Sequence, residues 1–305
     1  MNPFSGAGSA ISKQMRTLIG LKQRSFEQGK NPGQLSVQIK NHLKEYGFNP
    51  EIHLTKSSED ATGFAKLCVK NHVGMVIAAG GDGTINAVVN GLASSNVVFG
   101  IIPIGTVNLL ATELDIPSDI RSACQLLVEG NVRTIDLGMI NEHYFASLAS
   151  VGFHAYVMKK TKPQMKKMLG ALAFIFSAMQ IITSYPFRSI RIKIDQETGE
   201  RKGYLFVIGN GKFFSTDMPV APLARMDDHK LDLVLYKRRN LRGIFSYFQE
   251  IKAGNIVQSP YTDYLQVERV SVLAHGHHLV QGDGEIFGTT PVTIKVAPSA
   301  LKIIC

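Results

Sequence analysis

Two short stretches of this sequence carry residue types and spacings able to do chemistry. Gly80-Gly81-Asp82-Gly83-Thr84 lies between an apolar run, Val73 to Ala79, and a stretch whose Ile85, Val88, Val89 and Leu92 fall at helical spacing. Glycine lets a phosphate approach the backbone, and the first turn of a helix offers unpaired N–H groups at the positive end of its dipole. Gly105-Thr106-Val107-Asn108 repeats the arrangement, and Asn2-Pro3-Phe4-Ser5-Gly6 is a third loop of the kind. A tight turn would explain any one of these glycines. Asn86 stands where a dinucleotide fingerprint has its third glycine, and no Gly-Lys-Ser/Thr occurs. Asp82 makes the loop more specific. A carboxylate among phosphate-binding amides is repelled by phosphate unless Mg²⁺ or a hydroxyl lies between them, which points to a nucleotide–metal complex.

Asp283-Gly284-Glu285 is the second stretch, two acids flanking a glycine after the apolar pair Leu279-Val280. Phosphoryl transfer to an alcohol needs a base for the hydroxyl proton, and a carboxylate is suited to act as charge develops. As a bare tripeptide it reads first as a solvated turn. Arg225-Met226-Asp227-Asp228-His229-Lys230-Leu231-Asp232 reads on its own as a polar hairpin turn. His275-Gly276-His277-His278 has no cysteine or acid at ligand spacing and reads as a surface strand.

The elements that must position these residues change character along the chain. Leu35 to Tyr46 reads as a helix, Glu51 to Leu54 as a strand, Val97 to Ile104 as a buried strand and Val107 to Leu114 as a helix. Strand–loop–helix units in series predict an α/β nucleotide-binding domain with a parallel sheet over residues 1–132. Only Met1 precedes the loop at Asn2, so either the true start lies upstream or the sheet manages without a first strand, and the basic stretch Ala7 to Pro32 carries no assignment. Residues 133–305 contain strand-like runs separated by turn residues, which predicts a mostly antiparallel, β-rich second domain. The final run, Pro298 to Cys305, reads as a strand able to return to the first domain.

The chain has 305 residues, 45% hydrophobic and 19% charged, enough for two domains and unlike a disordered chain. Its three cysteines are odd in number and suit a reducing, cytoplasmic compartment. The start shows no signal-peptide pattern, and the apolar run Met168 to Ile182 is too short and too interrupted to span a bilayer. A net charge of +9 with no zinc-finger spacing and no tryptophan argues against nucleic acid and for a membrane surface or a phosphate-bearing ligand. Lys159, Lys160, Lys162, Lys166 and Lys167 precede the apolar run and form a candidate peripheral membrane contact, against the alternative of a core helix with a basic leader. Oligomeric state, a homodimer included, is left open.

GGDGTINAVVNG (Gly80 to Gly91), NPFSG (Asn2 to Gly6) and IPIGTVN (Ile102 to Asn108) together resemble the diacylglycerol kinase catalytic-domain family, in particular its soluble bacterial-type lipid kinases. The resemblance continues through Ile135-Asp136-Leu137-Gly138, Ile208-Gly209-Asn210-Gly211, Met218 to Pro222 and Asp283-Gly284-Glu285. It implies an ATP-dependent, Mg²⁺-using enzyme that phosphorylates a lipid hydroxyl such as that of diacylglycerol at a membrane surface. Carried over by residue, it implies an ATP site at Asn2, Pro3, Phe4, Ser5, Gly6, Thr55, Gly81, Asp82, Gly83, Thr84, Ile85, Asn86, Ala87 and Thr106. It further implies Glu285 as proton acceptor with Asp283 as partner or alternative base. A structural Mg²⁺ would sit on the Asp228 carboxylate and the carbonyls of Arg225 and Lys230. The chain departs from the pattern at Ala87 and Leu109, where the family often has carboxylates, and at His229, where glycine is usual and a reshaped turn is therefore expected. A nicotinamide-dinucleotide kinase and a catalytically silent nucleotide- or lipid-binding regulator are the alternatives.

Overall fold

The computed structural model describes residues 32–161, 177, 180–182, 184–195, 197–215, 218–239, 241–273 and 277–305, with the backbone alone at 15–19, 32 and 241. The chain divides into two compact units, residues 1–135 with 299–305, and residues 136–298.

The first unit is built on a parallel sheet. Strands β1 (Met15–Ile19), β2 (Glu51–Leu54), β3 (Met75–Gly80) and β4 (Val98–Pro103) run in the order β2-β1-β3-β4. β1 pairs in parallel with β2 and β3 on either side, from Met15 opposite Met75 to Ile19 opposite Ala79. β1 comes from the basic stretch that carried no assignment from the sequence.

The helices are α1 (Pro32–Glu45), α2 (Ser58–Lys70), α3 (Asp82–Leu92), α4 (Leu109–Glu113) and α5 (Ile120–Glu129). Met75, Ile77 and Ala79 alternate along β3 and pack with Leu35, Ile39 and Leu43 of α1 and Ala123, Cys124 and Leu127 of α5. β3 and β4 are buried along their whole length, which is why they read as continuous apolar runs. α2 starts where the Ser57 hydroxyl accepts the Asp60 N–H, and it packs so closely on α3 that a Cβ at Gly91 would sit 2.4 Å from that of Ala65.

In the second unit, β7 (Leu148–Val151), β10 (Leu205–Gly209), β13 (Leu231–Tyr236), β14 (Thr262–Val267), β16 (Leu279–Gly282) and β17 (Glu285–Thr289) form a six-stranded antiparallel sheet in the order β14-β13-β10-β7-β16-β17. A second antiparallel set contains β8 (Ile190–Ile194), β9 (Glu200–Gly203), β15 (Arg269–Val272) and the first half of β18 (Val292–Ile304). Ala149, Val151, Phe206, Ile208, Leu233 and Val280 of the larger sheet meet Ile192, Val270 and Ile294 of the smaller set in one core. The other face of the six-stranded sheet is covered by α6 (Phe153–Lys160) and α7 (Leu241–Lys252). Short strands β5 (Val132–Ile140), β6 (His143–Phe145), β11 (Phe213–Ser215) and β12 (Met218–Pro219) complete the set. From Ser299 onward β18 belongs to the first unit, where Lys302 and Ile303 pair in parallel with Val98 and Phe99.

His278 departs from the surface reading of the histidine run. It is buried, its N–H donates to Thr290 Oγ1 at 3.1 Å, and its Nε2 lies 3.1 Å from the Ser189 carbonyl oxygen. His275 and Gly276, and most of Met168 to Ile182, lie outside the described residues. Among those described, no helix is long and apolar enough to cross a membrane.

Candidate functional site

Thr55, Gly81 and Gly105 follow β2, β3 and β4 at their carboxyl ends, the edge where open α/β sheets bind ligands. The two glycine loops of the first unit are packed back to back. A Cβ at Gly105 would fall 2.6 Å from the Gly81 Cα, and one at Gly80 would fall 2.7 Å from the Thr84 Cβ. Gly105 is needed for the contact between the loops and Gly80 for the approach of Thr84, whereas a Cβ at the exposed Gly83 would meet open space. Asn108 takes a left-handed conformation (φ +50°) and clamps the second loop: its Nδ2 donates to the Gly105 carbonyl at 2.7 Å and its Oδ1 accepts the Gly105 N–H at 3.1 Å.

Asp82 locks the two loops together. Its Oδ1 accepts the Leu109 N–H at 2.7 Å and its Oδ2 accepts the Asn108 N–H at 3.0 Å. Backbone amides at the start of α4 thus already face this charge, so the carboxylate does not by itself call for a metal. The consequence for the helix termini is specific. α2 and α5 are capped by the side chains of Ser57 and Asp119, and α4 by Asp82. α3 starts at Gly81 with no side-chain cap, so its first-turn N–H groups suit an anion. Thr84 and Ile85 N–H already turn back to the Gly81 carbonyl, at 2.9 and 3.1 Å.

The remaining predicted residues of this unit fall close by in sequence and differ in exposure. Thr106 is exposed and Thr55 is buried. Ile85, Asn86 and Ala87 lie on the buried side of α3. The Ala87 carbonyl accepts the Thr62 hydroxyl at 2.8 Å, so the small residue sits against α2, where a carboxylate would have to be buried. Asn2, Pro3, Phe4, Ser5 and Gly6 lie outside the described residues.

In the second unit, Asp283 and Gly284 are the two central residues of a hairpin between β16 and β17, with Gly282 paired to Glu285. Both have positive φ, +46° and +85°, the conformation of a type I′ turn that Asp-Gly favours. Reading the tripeptide as a turn therefore holds for its backbone, but Asp283 is not merely solvated. Its Oδ2 accepts the Ala146 N–H at 2.6 Å, and its Oδ1 accepts the N–H groups of Ser147 and Leu148 at 3.0 and 3.1 Å. A carboxylate holding three amides is an anchor, and the geometry makes Asp283 the residue that positions Glu285. Gln281 adds to it, accepting the Gly284 N–H at 2.9 Å while donating to Ser150 Oγ at 2.8 Å.

The same stretch is held from behind by residues whose roles were not assigned from the sequence. Asn210 donates to the carbonyls of Asp136 and Ala146, at 2.9 and 2.8 Å, and its N–H donates to the Ser147 carbonyl. Asp136, 1% exposed, accepts the His229 N–H at 2.7 Å and lies 2.9 Å from His229 Nδ1. The signal for both was the Asn or Asp set among glycines and apolar residues, which a buried polar bridge requires.

His229 has φ +62°. This left-handed backbone is one that glycine takes without strain, and Asp136 holds the N–H. Asp228 accepts the Lys230 N–H at 3.1 Å and the Gln266 amide at 3.2 Å. Asp232 is fully buried with neither oxygen in hydrogen-bond geometry, although Tyr264 and Gln266 lie beside it, and burial pushes its carboxyl upward. A half-exposed carboxylate and an orphaned one are oxygen donors of the kind a hard cation takes. No cluster of three or more histidine, cysteine, aspartate or glutamate side chains occurs among the described residues, so backbone carbonyls and water would have to supply the rest.

The chain thus pairs a parallel-sheet unit, with an uncapped glycine-loop helix, and an antiparallel unit, with a hairpin anchored by the half-buried Asp283 carboxylate. Residues 24–140 match the diacylglycerol kinase catalytic domain, and residues 147–305 match the YegS C-terminal NAD kinase beta sandwich-like domain. The chain is 30% identical to a diacylglycerol kinase of Staphylococcus saprophyticus over 82% of both proteins. It is also 30% identical to a diacylglycerol kinase of Bacillus subtilis, over 84% of this chain and 85% of that one. A crystal structure described as that of a candidate diacylglycerol kinase, from Bacillus anthracis str. Sterne, superposes with a TM-score of 0.78 at 22% identity, covering 96% of this chain and 95% of that one. The chain belongs to the diacylglycerol kinase family, a family of phosphotransferases that act on a lipid hydroxyl.

Proposed function

We propose that this enzyme transfers the γ-phosphate of ATP to the primary hydroxyl of diacylglycerol. The observation that carries the reading is the pair of glycine loops locked by Asp82, which leaves the first turn of α3 uncapped at the carboxyl edge of a parallel sheet. Gly81, Asp82, Gly83, Thr84, Ile85, Asn86 and Ala87, with Thr55, Thr106 and Asn2 to Gly6, hold the nucleotide. Backbone N–H groups face phosphate charge and the glycines allow close approach. Glu285 takes the acceptor's proton, and Asp283 fixes the hairpin that presents it. Mg²⁺ supplies neutralisation of phosphate charge when bound. Asp228 with the carbonyls of Arg225 and Lys230 holds a structural Mg²⁺. The substrate reaches the protein at a membrane surface.

The similarity of residues 147–305 to an NAD kinase-like sandwich favours one second reading, phosphorylation of a soluble dinucleotide. A single assay separates the two: labelled ATP offered with diacylglycerol in mixed micelles and, in parallel, with NAD. Phosphorylated lipid is expected, falling at least ~100-fold in Glu285→Gln with ATP affinity retained. Label appearing in NAD, or in no acceptor of a lipid panel, sinks the proposal.

A further inference from the structure

The exposed face of α7 combines two features that soluble proteins keep apart. Ile244, Tyr247 and Ile251 are buried on one side of the helix, while Arg242, Phe245, Gln249 and Lys252 form its exposed stripe. Phe245 is 65% exposed, the most exposed of the large hydrophobic side chains described. The segment leading into it, Lys237-Arg238-Arg239-Asn240-Leu241-Arg242, has four cations, and no acid occurs from 237 to 249. The first acid, Glu250, faces Ser246 Oγ at 2.8 Å.

The cations divide in a telling way. Lys237 pairs with Asp263, and the Arg238 guanidinium lies 4.3 Å from the ring centroid of Tyr261, itself 39% exposed. Arg239 and Arg242 are exposed and form no ion pair among the described residues. Unpaired guanidinium groups beside an outward-facing phenyl ring match a surface with anionic headgroups above an apolar layer. A nucleic-acid duplex would satisfy the charge and leave the phenyl ring in water, and a protein groove would satisfy the ring and leave the charges to chance.

We propose that the N-terminal half of α7, with Arg239, Arg242 and Phe245, is a docking surface for an anionic lipid bilayer. It deepens the lipid-kinase reading, on which its purpose rests. Arg239 and Arg242 contact headgroup phosphates, and Phe245 enters the headgroup–acyl boundary. This surface is separate from the Lys159–Lys167 leader considered from the sequence, of which only Lys159 and Lys160 are described.

The test uses the full chain without ATP, sedimented with vesicles of phosphatidylcholine alone or mixed with phosphatidylserine. Binding to the mixed vesicles is expected to fall about tenfold in Phe245→Ser and at least about tenfold in Arg239→Glu with Arg242→Glu, with unchanged circular dichroism. The chain has no tryptophan, so Phe245→Trp places a single reporter on the surface, and its emission should shift to the blue on adding mixed vesicles. Unchanged vesicle binding in these variants, or no emission shift at saturating lipid, overturns the proposal. So does loss of binding to poly-uridine RNA, or loss of a dimer, while vesicle binding persists. Turnover of dioctanoylglycerol free in solution keeps the two claims apart. A wild type inactive on that acceptor and on every lipid refutes the kinase reading, while the vesicle result still decides the surface.

Discussion

Two carboxylates, Asp82 and Asp283, serve as backbone anchors, and the contacts that each one organises can be tested. In Asp283→Asn one amide oxygen replaces two carboxylate oxygens, and the new NH₂ faces backbone donors, so at least one of the N–H groups of Ala146, Ser147 and Leu148 loses its acceptor. Denaturant unfolding should show a loss of about 2–4 kcal/mol. The turnover defect should exceed what the remaining folded fraction explains, because Glu285 is no longer held. Gly105→Ala places a methyl group 2.6 Å from the Gly81 Cα and 2.7 Å from Asn108 Oδ1. Overpacking of this kind costs about 1–3 kcal/mol, and calorimetric titration should show ATP affinity falling with it. A variant that binds ATP normally would mean that the close contact of the loops does not matter to the nucleotide.

Among the elements, α6 carries the clearest pH response. His154 is buried among Phe153, Phe214, Tyr247 and Phe248, its Nδ1 has no partner, and burial pushes its pKa down to about 4. A folded-state pKa below the unfolded value means stability present above about pH 6.5 and lost as pH falls toward 4. The loss is at most about 3 kcal/mol over that window. His154→Phe should flatten this part of the stability–pH curve, and an unchanged slope would show that His154 does not titrate with unfolding.

Elements with one strong local signal were legible in the sequence. β2 was bounded at Glu51–Leu54 by its flanking residues, and β3 and β4 by their unbroken apolar runs. α2 and α5 give no strong signal although Ser57 and Asp119 are ordinary caps, because their buried faces are made of alanine and cysteine more than large apolar residues. β14 and β17 give a weak local signal for another reason. Their residues are mostly half-exposed, so burial gives no alternation to read. The glycine loops were visible from composition, but the role of Asp82 was not, since its partners lie 26 and 27 residues away. Asp136 and Asn210 were equally hidden, being tied to residues far along the chain.

At the scale of the molecule, the first unit is made from two separate parts of the chain. Lys302 and Ile303 add a parallel strand to β4, Leu301, Ile303 and Ile304 are buried, and Asn131 exchanges backbone hydrogen bonds with Cys305. A chain stopped after Pro298 would leave the β4 edge open. It should lose the cooperative unfolding of this unit and associate through that edge, as seen by circular dichroism and size-exclusion chromatography. A monomeric, fully folded truncation would show that the returning strand adds little.

That returning strand also sets an order of assembly during synthesis. Domains usually complete themselves in the order in which they leave the ribosome. Here the first-made unit must wait for residues 299–305, while all of 136–298 is translated before them. The antiparallel unit therefore has its whole sequence in hand before the nucleotide-binding unit does. Until the last strand arrives, the nascent protein carries an unfinished sheet edge, the state in which a chaperone or a neighbouring nascent chain would find it.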